Sequence, residues 1–334
     1  MTYREKEARE LVIQAGHRLA ESGLVAHTWG DISARISSTH FVIAPSGCAY
    51  DTLTPDQLVR VRIDDCSCEG SIKPSVERGI HAVAYLHRPD AGFVIHTHQA
   101  YASCIGISGM DLTEYTHPAL GSFIPCASYG MPSTKKLCRN VNEILIKHPT
   151  VNTILMRSHG ALCMARDLDR AFELLQALED ISREAFERTV TLPETLQTDA
   201  KQLLNALRSS AAGQHFAVET HSAVQAVAVH GKTLRPHLDD LAQIAGATIR
   251  CAKNDPDAVW KALKGRNAVL VPGIGAVCCA TEESSLSAIA AIVRKGCMAA
   301  LYAAECGAPP LHALDRRWMR LAYTTKYSRQ KTED

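Results

Sequence analysis

Residues 1–212 predict an α/β layer fold, and residues 213–334 predict a degenerate partial repeat of it. Two observations carry the first prediction. Amphipathic helices alternate with short apolar strands, and Gly, Pro and Asp turns separate the strands. One observation carries the second: three sequence strings recur in the same order late in the chain. In chain order, residues 5–22 place Ala8, Leu11, Val12, Ala15 and Leu19 on one helical face, and Gly23 ends that helix. Strands come next at 32–36, 41–44 and 58–63. Residues 76–86 read as a helix leading into the buried strand F-V-I at 93–95. The run T-I-L-M-R-S-H-G, ending at Gly160, reads as another strand. Asp167 is placed to cap a long helix from Leu168 to about Val190. The strings T-L-P-E-T-L-Q-T-D-A and S-S-A-A-G, the latter ending at Gly213, bracket a further helix and mark the domain boundary.

Beyond that boundary T-H-S-A-V-Q-A at Thr220 echoes T-H-Q-A-Y-A-S at Thr97. A-T-I-R-C-A, ending at Ala252, echoes S-F-I-P-C-A, ending at Ala127. A-V-L-V-P-G-I-G-A-V-C-C-A echoes T-I-L-M-R-S-H-G-A-L-C-M-A. Aligned by these strings, Glu219 stands at the place of His96, His221 at that of His98, and Ile274 at that of His159. No metal site is expected in this half, because a lone Glu-x-His is a poor one. Its apolar runs at 268–271 and 224–229 read as strands that need a partner surface. The tail R-R-W-M-R-L-A-Y-T-T-K-Y reads as a solvated basic helix, with Tyr323 or Tyr327 able to reach a neighbour's site.

Charge is balanced, with 36 Lys and Arg against 35 Asp and Glu, so neither nucleic acid nor an anionic membrane is expected as partner. No apolar run is read as a membrane span, and the charged, helical N-terminus is not that of a signal peptide. The 12 cysteines contain no C-x-x-C pair. Cys126, Cys163 and Cys278 lie in apolar segments, where Cys acts as a small hydrophobe. A reduced, cytoplasmic protein is expected.

The chemistry starts at F-V-I-H-T-H. A strand has period two, so His96 and His98 leave the same side, and the next strand delivers His159. Three imidazoles with one open position suit a catalytic divalent metal. Glu77, at a helix start leading into the histidine strand, is placed near that metal without being a ligand. Three loops of small hydrogen-bonding residues, around Gly30, Gly47 and Ser75, can cradle a small anion.

T-W-G-D-I-S, A-P-S-G, K-P-S-V-E-x-x-x-H, V-I-H-T-H and S-H-G together resemble, in sequence and spacing, the class II aldolase/adducin family over residues 1 to about 212. The resemblance implies a central mixed β-sheet flanked by helices and a homotetramer with active sites between neighbours. It implies Zn²⁺, with Mn²⁺ or Co²⁺ as alternatives, on His96, His98 and His159, and Glu77 as catalytic acid/base. Tyr115, in competition with His117, matches a protonating tyrosine. Thr28, Gly30, Asp31, Ser46, Gly47 and Ser75 match positions that hold a substrate phosphate. The implied activity is aldol cleavage or synthesis of a small ketose or ketose phosphate through a metal-stabilised enediolate. The alternatives are a sugar-phosphate 4-epimerase, a sugar-acid decarboxylase and a non-catalytic adducin-like binding protein. Two departures bear on the phosphate site: Asp31 replaces Asn and Val76 replaces a serine, so either the substrate is unphosphorylated or it is gripped differently, with Arg35 or Arg78 compensating.

Overall fold

Strand-forming, fully buried runs dominate the first half, and in the computed structural model they assemble into one mixed sheet. The structure describes residues 2–25, 30–45, 47 and 50–327. The chain opens with α1 (Glu5–Glu21), then β1 (Gly30–Arg35), β2 (His40–Ile43) and β3 (Val59–Arg62). After α2 (Arg78–His87) come β4 (Phe93–Thr97), α3 (Ala100–Gly106), β5 (Cys126–Ala127) and α4 (Lys135–Lys147). The hairpin β6 (Thr153–Met156) and β7 (Gly160–Ala165) precedes α5 (Leu168–Thr189). The seven strands run β3-β2-β1-β4-β7-β6-β5 and are antiparallel except for β5 against β6. Central β4 is buried along its whole length. Its Phe93, Val94 and Ile95 contribute roughly 1.5–3 kcal/mol each in removed apolar surface, and Tyr3 packs edge-on against Phe93 at 5.4 Å. Asp167 caps α5, its carboxylate accepting the Arg170 N–H at 2.9 Å.

The expected strand 153–160 is instead a strand and a turn. β6 stops at Met156, Ser158 takes φ 61°, and β7 returns antiparallel beside it. The polar break Arg157-Ser158-His159-Gly160 separates the apolar runs 153–156 and 161–165, and reading the first run as one strand through to Gly160 hides the reversal.

The chain divides into two compact units, Met1–Ala185 and Phe186–Asp334. The boundary expected at 212/213 comes after α6 (Lys201–Ser210), yet Leu203 and Leu207 of α6 belong to the core of the second unit with Phe216, Val259 and Val277. There the chain continues through β8 (His215–Glu219), α7 (Ser222–Ala228), β9 (Arg250–Cys251), α8 (Pro256–Leu263), β10 (Ala268–Val271), β11 (Gly275–Ala280), α9 (Leu286–Cys306) and α10 (Ala313–Ala322). The second sheet runs β8-β11-β10-β9, with β9 and β10 parallel and the rest antiparallel. This matches β4-β7-β6-β5 in order and direction.

Two readings of this half are corrected. Residues 224–229 fall largely in α7 and form no strand. The tail helix is not wholly solvated. Arg316 donates to the carbonyls of Leu311 and Ala247, and Arg320 to those of Gln243 and Ile244, serving open carbonyls around the π-turn Leu241–Ala245. Segment Glu283–Cys306 is long and apolar enough to cross a membrane by length and composition. Of that segment's apolar window, 67% is buried within the protein, and α9 carries Arg294 and Lys295 in ion pairs, as a core helix does. No disulfide joins the described cysteines, and Cys126, Cys163 and Cys278 are buried.

Candidate metal centre

Close strand approach builds the site. A Cβ on Gly160 would stand 2.2 Å from the Thr97 carbonyl oxygen, and one on Gly30 would stand 2.5 Å from that of His96. Only glycine lets β7 and β1 close on β4 at the height of the histidines. His96 lies in β4, His98 just beyond it, and His159 in the tight turn before β7. Their ring centroids are 4.7–4.8 Å apart. The ligand atoms of Glu77, His96, His98 and His159 all lie within 4.8 Å of one another, and His98 alone of the four is only half-buried.

The tautomer of His96 is set from behind. Its Nδ1–H donates to the Ala161 carbonyl at 2.8 Å, which leaves the Nε2 lone pair facing the cluster, 3.0 Å from His98 Nε2. A backbone carbonyl holding one nitrogen while the other converges with two more imidazoles is what a metal-binding histidine requires. The four-residue group fits a divalent ion.

Glu77 precedes α2 and is 8% exposed, so it is no surface carboxylate. Its Oε2 stands 3.0 Å from His96 Nε2 and 3.2 Å from His159 Nε2, and its Oε1 accepts the Ser133 N–H at 3.3 Å. Burial pushes its pKa up, but the imidazoles of His159 and His96 outweigh burial and hold it well below the usual carboxylate range. Asp31 faces His96 across β1 and β4. Burial and the neighbouring Glu77 raise it to about 6, against the pull of His96, a Ser75 hydrogen bond and His159. Ser75 is covered, and its Oγ also accepts the Glu77 N–H at 3.0 Å.

The structure thus gathers Glu77, Asp31, Ser75, Gly30 and the three histidines. Gly47 is exposed, with φ 76°. Thr28 and Ser46 lie outside the described residues. Tyr115 is half-buried in the irregular stretch between α3 and β5, and in the same stretch the ring of His117 accepts the Ala119 N–H.

One layer behind the site carried no assigned role in the sequence. His81 is fully buried; its Nδ1 bonds Ser33 Oγ at 2.7 Å, and Ser33 Oγ bonds Tyr85 Oη at 3.0 Å. Burial, aided by His96 and opposed by Glu77, lowers His81 to about 3, so this imidazole is neutral. The signal was present: His81 comes four residues after Glu77, one helical turn on the same face.

In the second unit β-sheet register overrides the string alignment. Thr97 pairs with Ala161, one residue after Gly160, and Glu219 pairs with Ala276, one residue after Gly275. A Cβ on Gly160 meets the Thr97 carbonyl, and one on Gly275 meets that of Glu219 at 2.3 Å. Glu219 therefore corresponds to Thr97, not to His96, and Val218 takes the place of His96. His221 begins its helix as Gln99 does. A one-residue slip turns every side chain to the other face. Glu219 meets Arg294 of α9 at 2.7 Å.

Residues 10–186 match the family model described as Class II Aldolase and Adducin N-terminal domain. A 5-deoxy-D-ribulose 1-phosphate aldolase of Bacillus thuringiensis serovar kurstaki is 29% identical over 203 residues, 60% of this chain and 94% of its own. An L-ribulose-5-phosphate 4-epimerase of Salmonella paratyphi B is 28% identical over 200 residues, 54% of this chain and 85% of its own. Among solved structures, an L-fuculose 1-phosphate aldolase is similar with TM-score 0.50 and 25% identity, over 56% of this chain and 91% of its own.

Proposed function

Because this chain belongs to the class II aldolase and adducin family, we propose that it is a metal-dependent aldolase of a small ketose or ketose phosphate. The observation that carries the reading is the buried convergence of Glu77 with three imidazoles. A binding scaffold has no use for a carboxylate confined among three ligand nitrogens, since its burial costs stability. The likeness to the 5-deoxy-D-ribulose 1-phosphate aldolase supports the aldol reaction.

His96, His98 and His159 would hold the ion, which we propose to be Zn²⁺, with Mn²⁺ or Co²⁺ as alternatives. When bound it supplies a Lewis acid for the oxygens of an enediolate. Glu77 moves the proton between the donor carbon and its own carboxylate, held in place by the Ser133 N–H. Water is excluded around it by the covered rings of His96 and His159. The Ala161 carbonyl keeps His96 in one tautomer throughout. Tyr115 is proposed to protonate the leaving aldehyde side, and Gly30, Gly47 and Ser75, with Thr28 and Ser46, to line the substrate end. The proposal extends to a homotetramer in the cytoplasm, with no nucleic acid or membrane as partner; the balanced charge supports the latter. The second unit is read as a partial repeat of the first, on the support of its strand order.

The second reading is a 4-epimerase, favoured by 28% identity to the Salmonella enzyme. It differs only in the fate of the fragments after bond cleavage. The test is metal-loaded protein offered dihydroxyacetone, dihydroxyacetone phosphate or glycolaldehyde as donor with a panel of aldehydes. Condensation in one pairing supports the aldolase. Interconversion of pentulose phosphates with no net condensation overturns it in favour of the epimerase.

A further inference from the structure

The site holds a second carboxylate that the proposed reaction does not use. Asp31 sits directly opposite His96 in the register of β1 and β4. Directly opposed residues leave the same face of a sheet, with Cβ atoms about 4.5–5.5 Å apart, so the Asp31 carboxyl borders the metal ligands. The Ser75 hydroxyl is hydrogen-bonded to it. A serine hydroxyl has a single proton to donate. Ser75 gives that proton to Asp31, its oxygen accepts the Glu77 N–H, and the residue is 1% exposed. Of the residues expected to grip a phosphate here, one is thus a carboxyl group and another already has its hydroxyl engaged.

Both guanidinium groups that might have answered this donate to main-chain carbonyls, and neither is bonded to Asp31 or to the Ser75 hydroxyl among the described residues. Arg35 is buried and donates to the carbonyls of Ala91, Tyr85 and Arg88. Arg78 donates to the carbonyls of Cys66 and Ser75. Glu77 and Asp31 already bring two carboxyl groups to the three imidazoles. A neutral ketose enters such a site without adding charge and gains one negative charge only on enolisation. A phosphate monoester carries nearly two from the start.

Resting on the aldolase reading above, we propose that Asp31 is the specificity determinant of this site. The donor it selects is an unphosphorylated hydroxyketone whose terminal hydroxyl donates to the Asp31 carboxylate. A neutral hydroxyl satisfies a carboxylate that a phosphate oxygen can only repel.

The experiment uses the metal-loaded full-length protein and its Asp31→Asn and Asp31→Ser variants, with metal content measured for each. Two readouts are taken: calorimetric binding of inorganic phosphate, and kcat/KM for dihydroxyacetone against dihydroxyacetone phosphate with one aldehyde acceptor. The wild type should favour dihydroxyacetone by roughly 100-fold, the factor set by one like-charge pair at about 6 Å and an effective dielectric of about 20. Both variants should bind phosphate at least about tenfold more tightly and shift the donor ratio toward the phosphate. Equal phosphate affinity in wild type and variants, or a wild-type preference for dihydroxyacetone phosphate, overturns the proposal. Silence of every donor and acceptor would overturn the aldolase reading alone, because the phosphate titration still decides the role of Asp31.

Discussion

Replacing Gly160 by alanine tests the strand contact on which the candidate metal centre is built. The new methyl carbon would lie 2.2 Å from the Thr97 carbonyl oxygen and 3.2 Å from Cε1 of His96, where ordinary contact begins at 3.4 Å. β7 must therefore retreat from β4 by about 1 Å. The next residue, Ala161, supplies the carbonyl that fixes His96 Nδ1 at 2.8 Å, so the retreat loosens the ring that presents Nε2 to the cluster. Overpacking of this kind costs about 1–3 kcal/mol, and an ångström of misplacement at a reacting centre costs on the order of 100-fold in rate. The assay is competition for Zn²⁺ against a chromophoric chelator, with a thermal melt in parallel. Gly160→Ala should bind metal at least about tenfold more weakly and melt several degrees lower. Gly265→Ala is the control: it has φ +73° and open space around its Cβ, so it should lose stability and keep its metal affinity. Wild-type metal affinity and melting in Gly160→Ala would refute the argument that backbone approach at this glycine sets the site.

Three further outcomes are expected. Glu77→Gln keeps the shape of a side chain wedged between His96 and His159 but removes the base, so bound metal should persist while turnover falls by about 100-fold or more; loss of the metal would instead make Glu77 a ligand. Lys295→Met leaves the fully buried Asp240 without its ammonium partner and should cost about 3–5 kcal/mol in urea unfolding, part of it recovered by adding Asp240→Asn; an unchanged midpoint would show that the pair is not energetically coupled. A chain ending at Ala212 strips Leu203 and Leu207 of Phe216, Val259 and Val277 and should aggregate on size-exclusion chromatography, whereas a monodisperse truncated protein would show that α6 needs no such cover.

The sequence by itself determined the layers and the three imidazoles that converge. Period-two runs and turn residues located β1 to β4, and a carboxylate three residues before a main-chain N–H located the start of α5, because those signals are local. His96 and His98 share a side as a matter of strand geometry, so their convergence was legible before any contact was known. Tertiary structure decided what depends on register and depth. The turn that carries His159 is a short polar break between two apolar runs, and only the pairing of β6 with β7 shows that the chain reverses there. Glu219 looked like the counterpart of His96 in a string comparison, yet one residue of register turned it to the other face. Asp31 and Ser75 are ordinary loop-edge residues in sequence. Only the closing of β1 on β4, permitted by Gly30, makes them neighbours of Glu77 and of each other. Composition and period fix which face a residue takes within its own element, while the charge it meets there is set by the strands that close around it.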